Sequence, residues 1–255
     1  MPYGLYISAE GAVAQNRRME VLANNIANVD TAGFKRQLAI FQARFSEAIE
    51  QGIDYSGSRS INDLGGGVMV RETKTDFSPG PLRSTGLETD VAINGDGFFQ
   101  VQKGNQTFLT RAGAFEITNE GALTTPDGYP VLSSDGEPIV IAEDGGAWRI
   151  NDAGGIEQGG GVIANLALVR PPSLDQLEHV GENLFALPDR VEADAVPEEE
   201  RQVRSGFVEQ SSVRSTREMM DLIECSRAFE ANTSMIKNQD QMIGTLVSRA
   251  LRVQS

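Results

Sequence analysis

The strongest constraint in this sequence is an apolar repeat of seven residues that runs through both ends of the chain. In the N-terminal stretch, residues 5–29, the repeat is formed by Leu5, Ala12, Met19 and Ile26. In the C-terminal stretch, about residues 212–253, it is formed by Leu222, Phe229, Ile236, Ile243 and Ala250. Apolar residues at this period lie along one face of a helix. We therefore expect two long helices that pack side by side.

Small and amide-bearing residues recur beside these apolar stripes. The interleaved positions are Ser8, Gln15, Leu22 and Val29 near the start, and Cys225, Asn232, Gln239, Leu246 and Val253 near the end. A self-sufficient coiled coil would carry larger apolar residues at both sets of positions. A helix of forty residues would also be about 60 Å long, which exceeds the needs of a compact domain. Both helices are therefore predicted to pack against neighbouring chains, the alternative being that each stripe only faces a core.

The first helix also carries three asparagines, a residue type that weakens helices: Asn24, Asn25 and Asn28. A buried amide without a partner costs about 1–3 kcal/mol, so we expect these side chains to find partners in neighbouring chains. A solvated helix face is the alternative. Thr31 and Gly33 are predicted to end the helix, Gly33 in a left-handed conformation, with Phe34 turning back as an apolar anchor.

The middle of the chain predicts antiparallel β-structure. The stretch from residue 68 to 77 reads as a strand, residues 90–102 as a hairpin around N-G-D-G, and residues 162–170 as one further strand. Acidic-Gly and Asn-Gly turns separate such segments. The fold class is therefore predicted as α+β. Long N- and C-terminal helices would form an antiparallel or coiled-coil-like pair, with a central antiparallel β-rich domain.

These patterns predict three parts of the chain. Residues 1–30 and 212–255 would form one terminal helical domain, and residues 81–211 would form the β-rich domain. Residues 31–80, which hold a short amphipathic segment and a Gly/Ser-rich stretch, would form an extended linker between them.

The charge of the chain excludes several partners. A formal net charge of −14 disfavours nucleic acid, because phosphate contacts require a basic face, and it disfavours an anionic membrane surface. No run of 18 apolar residues is present, so no membrane span is predicted. The N-terminal stretch lacks the basic start and apolar run of a cleaved signal peptide.

The residues that usually carry chemistry are scarce. Cys225 stands alone in a helical stretch and is predicted to be a packed thiol, and the single histidine, His179, has no partner for a zinc site or a catalytic triad. The Asp-Gly pairs lack the ligand spacing of a calcium loop, and G-D-G-F-F lacks the Lys-Ser/Thr of a phosphate loop. We therefore predict no catalytic residue, metal or cofactor. A ligand-binding module remains the alternative to an assembly protein.

The segment LANNIANVDTAGFKR closely resembles the N-terminal signature of the bacterial flagellar rod and hook proteins. Further segments resemble the same family: TDVAINGDGFFQV, FLTRAGAF, GENLFAL, SGFVEQSSV and MMDLIECSRAFEAN. The length resembles the rod proteins rather than the longer hook protein. One departure is Ser212, where the family usually has Asn. Because Ser212 lies at the predicted start of the C-terminal helix and serine can also cap a helix, we expect a modest effect.

This resemblance implies a structural subunit of the flagellar basal-body rod, with the proximal rod favoured over the distal rod. Such subunits leave the cytosol through the flagellar type III export apparatus without a cleaved signal peptide. Their terminal helices form an inner tube, so the implied partners are copies of the chain and other rod and hook axial proteins. The residues assigned to assembly and packing are Leu5, Met19, Leu22, Asn24, Asn25, Ile26, Asn28, Thr31, Gly33, Phe34, Lys35, Leu222, Phe229, Ile236 and Ile243.

Overall fold

The computed structural model describes residues 3–45, 47–58, 65–142, 145–188 and 191–253. The helices of this part are α1 (Tyr3–Ala27), α2 (Glu47–Glu50) and α3 (Ser215–Val253). The first strands are β1 (Gln37–Arg44), β2 (Gly67–Thr75), β3 (Leu82–Ser84), β4 (Val91–Ile93), β5 (Phe98–Lys103), β6 (Gln106–Thr110), β7 (Glu116–Ile117) and β8 (Leu123–Thr124). They are followed by β9 (Trp148–Ile150), β10 (Gly155–Gln158), β11 (Gly161–Asn165), β12 (Leu168–Arg170), β13 (Glu178–Gly181), β14 (Leu184–Ala186), β15 (Asp194–Ala195), β16 (Val203–Ser205) and β17 (Phe207–Glu209). Single 3-10 turns lie at Leu174–Gln176 and Glu198–Glu200.

The chain divides into two compact units. The helical unit comprises Met1–Ala27, Gln37–Lys74 and Arg214–Ser255, and the β-rich unit comprises Asn28–Arg36 and Thr75–Val213. The segment 31–80 thus contributes strands β1 and β2 to the helical unit and its two ends to the β-rich unit. The three-part division at residues 30, 80 and 211 stays a prediction.

In the helical unit, α1 and α3 pack side by side in opposite directions. Gly4, at the start of α1, faces Gln239 in the second half of α3, whereas Asn25, near the end of α1, is hydrogen-bonded to Glu218 in the first turn of α3. Strands β1 and β2 pair with each other, and β1 contacts α1. The predicted α+β fold with paired terminal helices is therefore confirmed.

The β-rich unit is built around a six-stranded antiparallel sheet with the strand order β13-β14-β6-β5-β12-β15. A three-stranded sheet, β11-β10-β9, and the pairs β16-β4, β17-β3 and β7-β8 complete it. Its main core consists of side chains with almost no solvent exposure, among them Phe99, Val101, Leu123, Ile139, Ile156, Leu166 and Leu168. A second cluster packs Phe77, Phe98 and Phe185 with ring centroids 5.1–6.0 Å apart.

Two strand predictions in this unit are wrong. Residues 90–102 do not form a hairpin, because β4 pairs with β16, more than a hundred residues away in sequence, while β5 pairs with β6 and β12. The backbone N–H of Asn94 donates to Gln202 O at 2.7 Å, which extends the β4–β16 ladder into the turn. Residues 162–170 form two strands, since β11 joins β10 and β12 joins β5 in different sheets.

Candidate assembly interface

The buried residues of the two long helices are mainly small and polar. The buried residues are Ser8, Ala14, Leu22 and Asn25 on α1, and Glu218 and Cys225 on α3. By contrast, the apolar repeat is only half-buried, at Leu5, Met19, Ile26, Leu222, Phe229, Ile236 and Ile243. Within the chain, buried residues therefore occur in the interleaved series, at Ser8, Leu22 and Cys225, and not at these positions of the apolar repeat.

Glycine and amide residues meet where α1 packs against α3, along a line that we call the seam. A methyl group added to Gly11 would lie 3.1 Å from Nδ2 of Asn232, and one added to Gly4 would lie 2.9 Å from Nε2 of Gln239. Real Cβ atoms rarely approach other atoms so closely, so the two amides pack directly against the glycine backbone. The seven-residue spacing of the glycines matches the spacing of the amides, which explains why amides recur on α3.

Asn25 joins three elements of the helical unit. Its side chain has 0% exposure, and its Nδ2 donates to Oε2 of Glu218 at 3.1 Å and to the backbone O of Gln37 at 2.9 Å. Its Oδ1 accepts the backbone N–H of Gln37 at 2.9 Å. The expectation that this amide finds its partners in a neighbouring chain is therefore wrong: it links α1 to α3 and to the start of β1.

The other two asparagines are more exposed and also have partners inside the chain. Nδ2 of Asn24 donates to Oε1 of Gln37 at 3.2 Å, and Oδ1 of Asn28 accepts the hydroxyl of Thr31 at 3.2 Å. Helix α1 ends at Ala27, so Thr31 lies in the turn that follows. These contacts leave any additional role of Asn24, Asn28 or Thr31 in assembly a prediction.

Cys225 is a packed thiol, as the sequence predicted. It is fully buried, and its Sγ lies 3.1 Å from the backbone O and 3.0 Å from the side-chain Oε1 of Gln15. Burial raises the pKa of the Cys225 thiol, which keeps it in the unreactive protonated form.

A large apolar surface of α3 is left uncovered within the chain. Its side chains are 51–66% exposed: Met219, Met220, Ile223, Met235, Met242, Leu246, Val247 and Leu251. Soluble monomers rarely expose so many large apolar side chains on one element, and such surfaces mark protein–protein contacts. On α1, Tyr6 and Val13 are also exposed.

In the β-rich unit, the residues of T-A-G-F-K are bound to the segment that precedes α3. Gly33 has a left-handed backbone with φ of 69°, as predicted, and its N–H donates to Glu209 O at 2.8 Å. A Cβ at Gly33 would lie 2.4 Å from the backbone N of Ala112, so only glycine fits there. Phe34 is buried, as expected of an apolar anchor.

Ser212 binds the same segment and does not cap α3. Its Oγ accepts the N–H of Arg36 at 2.9 Å, and its own N–H donates to Phe34 O at 3.1 Å. Helix α3 begins at Ser215, three residues beyond the predicted start. The capping role predicted for Ser212 is therefore wrong, because its hydroxyl is used to hold residues 34–36 in place.

Lys35 belongs to a buried ionic cluster with Glu209 and Arg111. Nζ of Lys35 lies 2.6 Å from Oε1 of Glu209, and Nη1 of Arg111 lies 3.6 Å from Oε2 of the same carboxylate. All three side chains are less than one-tenth exposed. Burial lowers the pKa of Lys35, whereas the carboxylate of Glu209 raises it. One carboxylate therefore compensates two buried cations.

Additional hydrogen bonds hold this cluster in place. Lys35 also donates to Ser78 O at 3.0 Å, and Oε1 of Glu209 accepts the N–H of Gly80 at 2.8 Å. Arg111 donates to Gly95 O at 2.7 Å and lies over the ring of Phe98, 5.2 Å from its centroid. The cluster therefore connects four segments of the β-rich unit, at residues 35, 78–80, 95–111 and 209.

Comparison with known proteins identifies the family. Residues 5–35 match the family described as flagella basal body rod protein, residues 92–158 the D1 domain of the flagellar hook protein FlgE/F/G, and residues 204–249 the C-terminal region of the flagellar basal body rod FlgEFG proteins. The chain is 32% identical to the flagellar basal-body rod protein FlgG of Bacillus subtilis, over 96% of this chain and 97% of that protein. The chain belongs to the flagellar basal-body rod protein family. It is similarly 31% identical to FlgF of Caulobacter vibrioides, with 98% of each chain covered, and 34% identical to FlgG of Agrobacterium fabrum, over 97% and 99%.

Membership of the rod protein family makes this chain a structural protein of the flagellar basal body rather than an enzyme. The matched regions contain the Asn25–Glu218 hydrogen bond and the Lys35–Glu209 ion pair. Asn25 and Lys35 lie in region 5–35, and Glu209 and Glu218 lie in region 204–249. Among the described residues, no group of three acidic, histidine or cysteine side chains could hold a metal ion. In the same part of the chain, no helix is long and apolar enough to cross a membrane.

Asn25 supplies a direct test of the seam in this rod protein. Replacing Asn25 by Ala removes three hydrogen bonds and leaves the buried Glu218 without this donor, so we expect the helical unit to lose about 1–3 kcal/mol of stability. Thermal unfolding followed by far-ultraviolet circular dichroism measures the loss. The matched control is Asn24→Ala, an exposed neighbour whose side chain is hydrogen-bonded to Gln37, for which we expect a change below about 0.5 kcal/mol. Equal stability of the two variants would contradict the assignment.

Proposed function

We propose that this chain polymerises through its two terminal helices into the axial rod that transmits torque from the flagellar motor to the hook. The observation that carries the proposal is the uncovered apolar surface of α3. The helix pair is held together inside the chain by small and polar residues, so its large apolar side chains are available for other chains. Burying this surface would drive association at about 25 cal/mol per Å².

The proportions of the two helices support a polymer rather than a closed dimer. Helix α3 has 39 residues and α1 has 25, so the pair is unequal in length. An unequal pair presents different surfaces at its two ends. Contacts between different surfaces of identical chains generate rings, or open helical assemblies where the rotation does not close, rather than two-fold dimers. Residues 1–30 and 212–255 are accordingly proposed as the rod-core domain, with residues 81–211 as the outer β-rich domain.

The proposed partners are copies of this chain and other axial proteins of the rod and hook. The flagellar type III export apparatus is proposed to deliver the chain to the periplasmic rod without cleavage of a signal peptide, a proposal that rests on the family resemblance. Within the rod, we place the chain in the proximal segment, on the basis of its opening MPYGLYISAEGA and its brief linker; the distal segment is the alternative.

Gold labelling of an epitope-tagged chain in isolated basal bodies tests both parts of this proposal. A tag inserted at Gly136, in an exposed turn of the β-rich unit, should leave assembly intact. We expect label on the rod, near its motor end for a proximal subunit and near the hook for a distal one. A deletion strain should lack hooks and should not swim. Tagged protein that stays soluble in the periplasm of cells with complete rods would instead support a ligand-binding module.

A further inference from the structure

The C-terminal part of α3 extends beyond its partner helix. Gly4 of α1 packs against Gln239, and α1 begins at Tyr3, whereas α3 continues to Val253. The residues after Gln239 therefore pass the first described turn of α1. Fourteen residues of helix, 240–253, span about 21 Å. We call this segment the α3 overhang.

The overhang carries an apolar stripe with helical spacing. Met242 and Leu246 lie four residues apart, as do Ile243, Val247 and Leu251, so these side chains lie on adjoining rows of the helix. All except Ile243 are more than half exposed. Between residues 240 and 253 the sequence holds two arginines, Arg249 and Arg252, and one acidic residue, Asp240, at the start of the overhang, although the whole chain carries a net charge of −14. The overhang is therefore an apolar and basic helix end on an acidic protein.

The same unit contains an apolar groove between α1 and β2. Its volume is about 360 Å³, and its apolar lining residues are Val13 and Ala14 of α1 and the stretch Val68–Val70 of β2. Val13, Val68 and Met69 are 41–59% exposed. Three exposed apolar side chains along one groove form a surface on which the apolar face of a second helix can pack.

The charged residues of the groove lining are complementary to the overhang. Glu10, Arg17 and Glu72 belong to the lining. Arg17 is paired with Glu20 at 2.9 Å, and Glu10 lies 3.7 Å from Arg44. Glu72 is therefore the carboxylate that we assign to an incoming basic side chain.

We propose that the α3 overhang of one subunit lies in the α1–β2 groove of a second copy of this chain, with Arg249 facing Glu72. This inference rests on the proposed function and names the contact through which polymerisation proceeds. The lengths agree, since the stretch 68–73 of β2, of which five residues line the groove, spans about 17 Å and the overhang about 21 Å. A contact between two different surfaces leaves a free overhang and a free groove at opposite ends of each dimer, so growth can continue.

Cysteine cross-linking between two separately mutated chains tests the contact. Cells that lack the native gene would express a mixture of Met69→Cys and Leu246→Cys chains, and their isolated basal bodies would be oxidised. Because a disulfide needs Cα atoms within about 7 Å, we expect a linked dimer of twice the 27.5 kDa chain mass only where groove and overhang meet. When the overhang lies in the groove, the two thiols are held at a high effective concentration. The yield of linked dimer should therefore be at least about tenfold higher than for the control pair.

Two controls separate this contact from chance collisions. The first pairs Met69→Cys with Met220→Cys, an exposed methionine of α3 outside the overhang, and the second pairs Leu246→Cys with the wild-type chain, which retains Cys225. A charge exchange gives an independent measurement. Glu72→Arg and Arg249→Glu should each reduce the number of rods per cell severalfold, and the double variant should restore it.

The outcomes distinguish the inference from the proposed function. Rods that form normally without Met69–Leu246 dimers, and without an effect of the charge variants, would overturn the groove contact and leave rod assembly intact as the function. Wild-type chain that is absent from isolated rods would overturn the proposed function itself. Dimers specific to the groove pair, together with rescue by the double charge variant, would establish the contact.

Discussion

Replacing Glu209 by Ala is expected to lower the free energy of unfolding of the β-rich unit by about 3–5 kcal/mol. The carboxylate compensates Lys35 at 2.6 Å and Arg111 at 3.6 Å, and all three side chains are buried. Its removal leaves two cations in a low-dielectric interior without the carboxylate that forms ion pairs with both of them. It also leaves the N–H of Gly80 without the acceptor that it has at 2.8 Å. Denaturant unfolding of the purified chain, followed by the fluorescence of Trp148 in this unit, measures the loss.

Two further variants distinguish the buried charge from the loss of packing. The double variant Lys35→Met/Glu209→Gln removes one cation and the carboxylate together. It should therefore be less destabilising than the single variant Glu209→Ala, in which Lys35 stays charged. Glu199→Ala changes an exposed glutamate in a 3-10 turn of the same unit and should change stability by less than about 0.5 kcal/mol. The assignment fails if Glu209→Ala is no more destabilising than Glu199→Ala.

The long helices could be predicted from the sequence because a seven-residue period is a local property. The predicted stretches, 5–29 and 212–253, agree with α1 (Tyr3–Ala27) and α3 (Ser215–Val253) within a few residues. The face that each helix turns to its partner could not be predicted in the same way. Gly4 and Gly11 allow Asn232 and Gln239 to approach closely, and this fit depends on the register of two helices that are two hundred residues apart.

The β-rich unit shows the same limit of local reasoning. The Asn-Gly and Asp-Gly turns were recognisable, but N-G-D-G connects two sheets instead of closing a hairpin. The deciding contact is the pairing of β4 with β16, and no local pattern in residues 90–102 indicates a partner at residues 203–205. Long-range strand pairing depends on the whole chain, so local turn signals predicted the turn and not its strand partners.

The buried clusters were only partly foreseeable. Lys35 is a predicted assembly residue because it belongs to the family signature, whereas the left-handed Gly33 and the buried Phe34 follow from the rules for helix ends. Glu209 and Arg111 were not singled out, although each is a charged residue beside apolar neighbours in FVEQ and FLTRAG. Charged residues are rarely fully buried unless they are paired, so a charge inside an apolar motif is the signal that could have identified this cluster.

Replacing Ile26 or Ile236 by Asp is expected to stop rod growth and abolish swimming while the monomer still folds. Both side chains are half-buried in the single chain, so an aspartate can keep part of its hydration there. In a polymer the same positions would be enclosed by neighbouring subunits, and burying a carboxylate without a partner costs several kcal/mol. The penalty is repeated at every subunit. Counting rods in isolated basal bodies and measuring swimming on soft agar, at matched protein levels, gives the result.

The matched control for these variants is Ile117→Asp, which places the same aspartate at a partly exposed isoleucine of β7 in the β-rich unit. If assembly depends on the apolar surfaces of the terminal helices, Ile117→Asp cells should swim almost normally, whereas Ile26→Asp and Ile236→Asp cells should not. Far-ultraviolet circular dichroism of the purified variants should show that all three retain the β-rich fold, because its core does not include Ile26 or Ile236. Rods and swimming in the two helix variants would show that polymerisation does not bury Ile26 and Ile236.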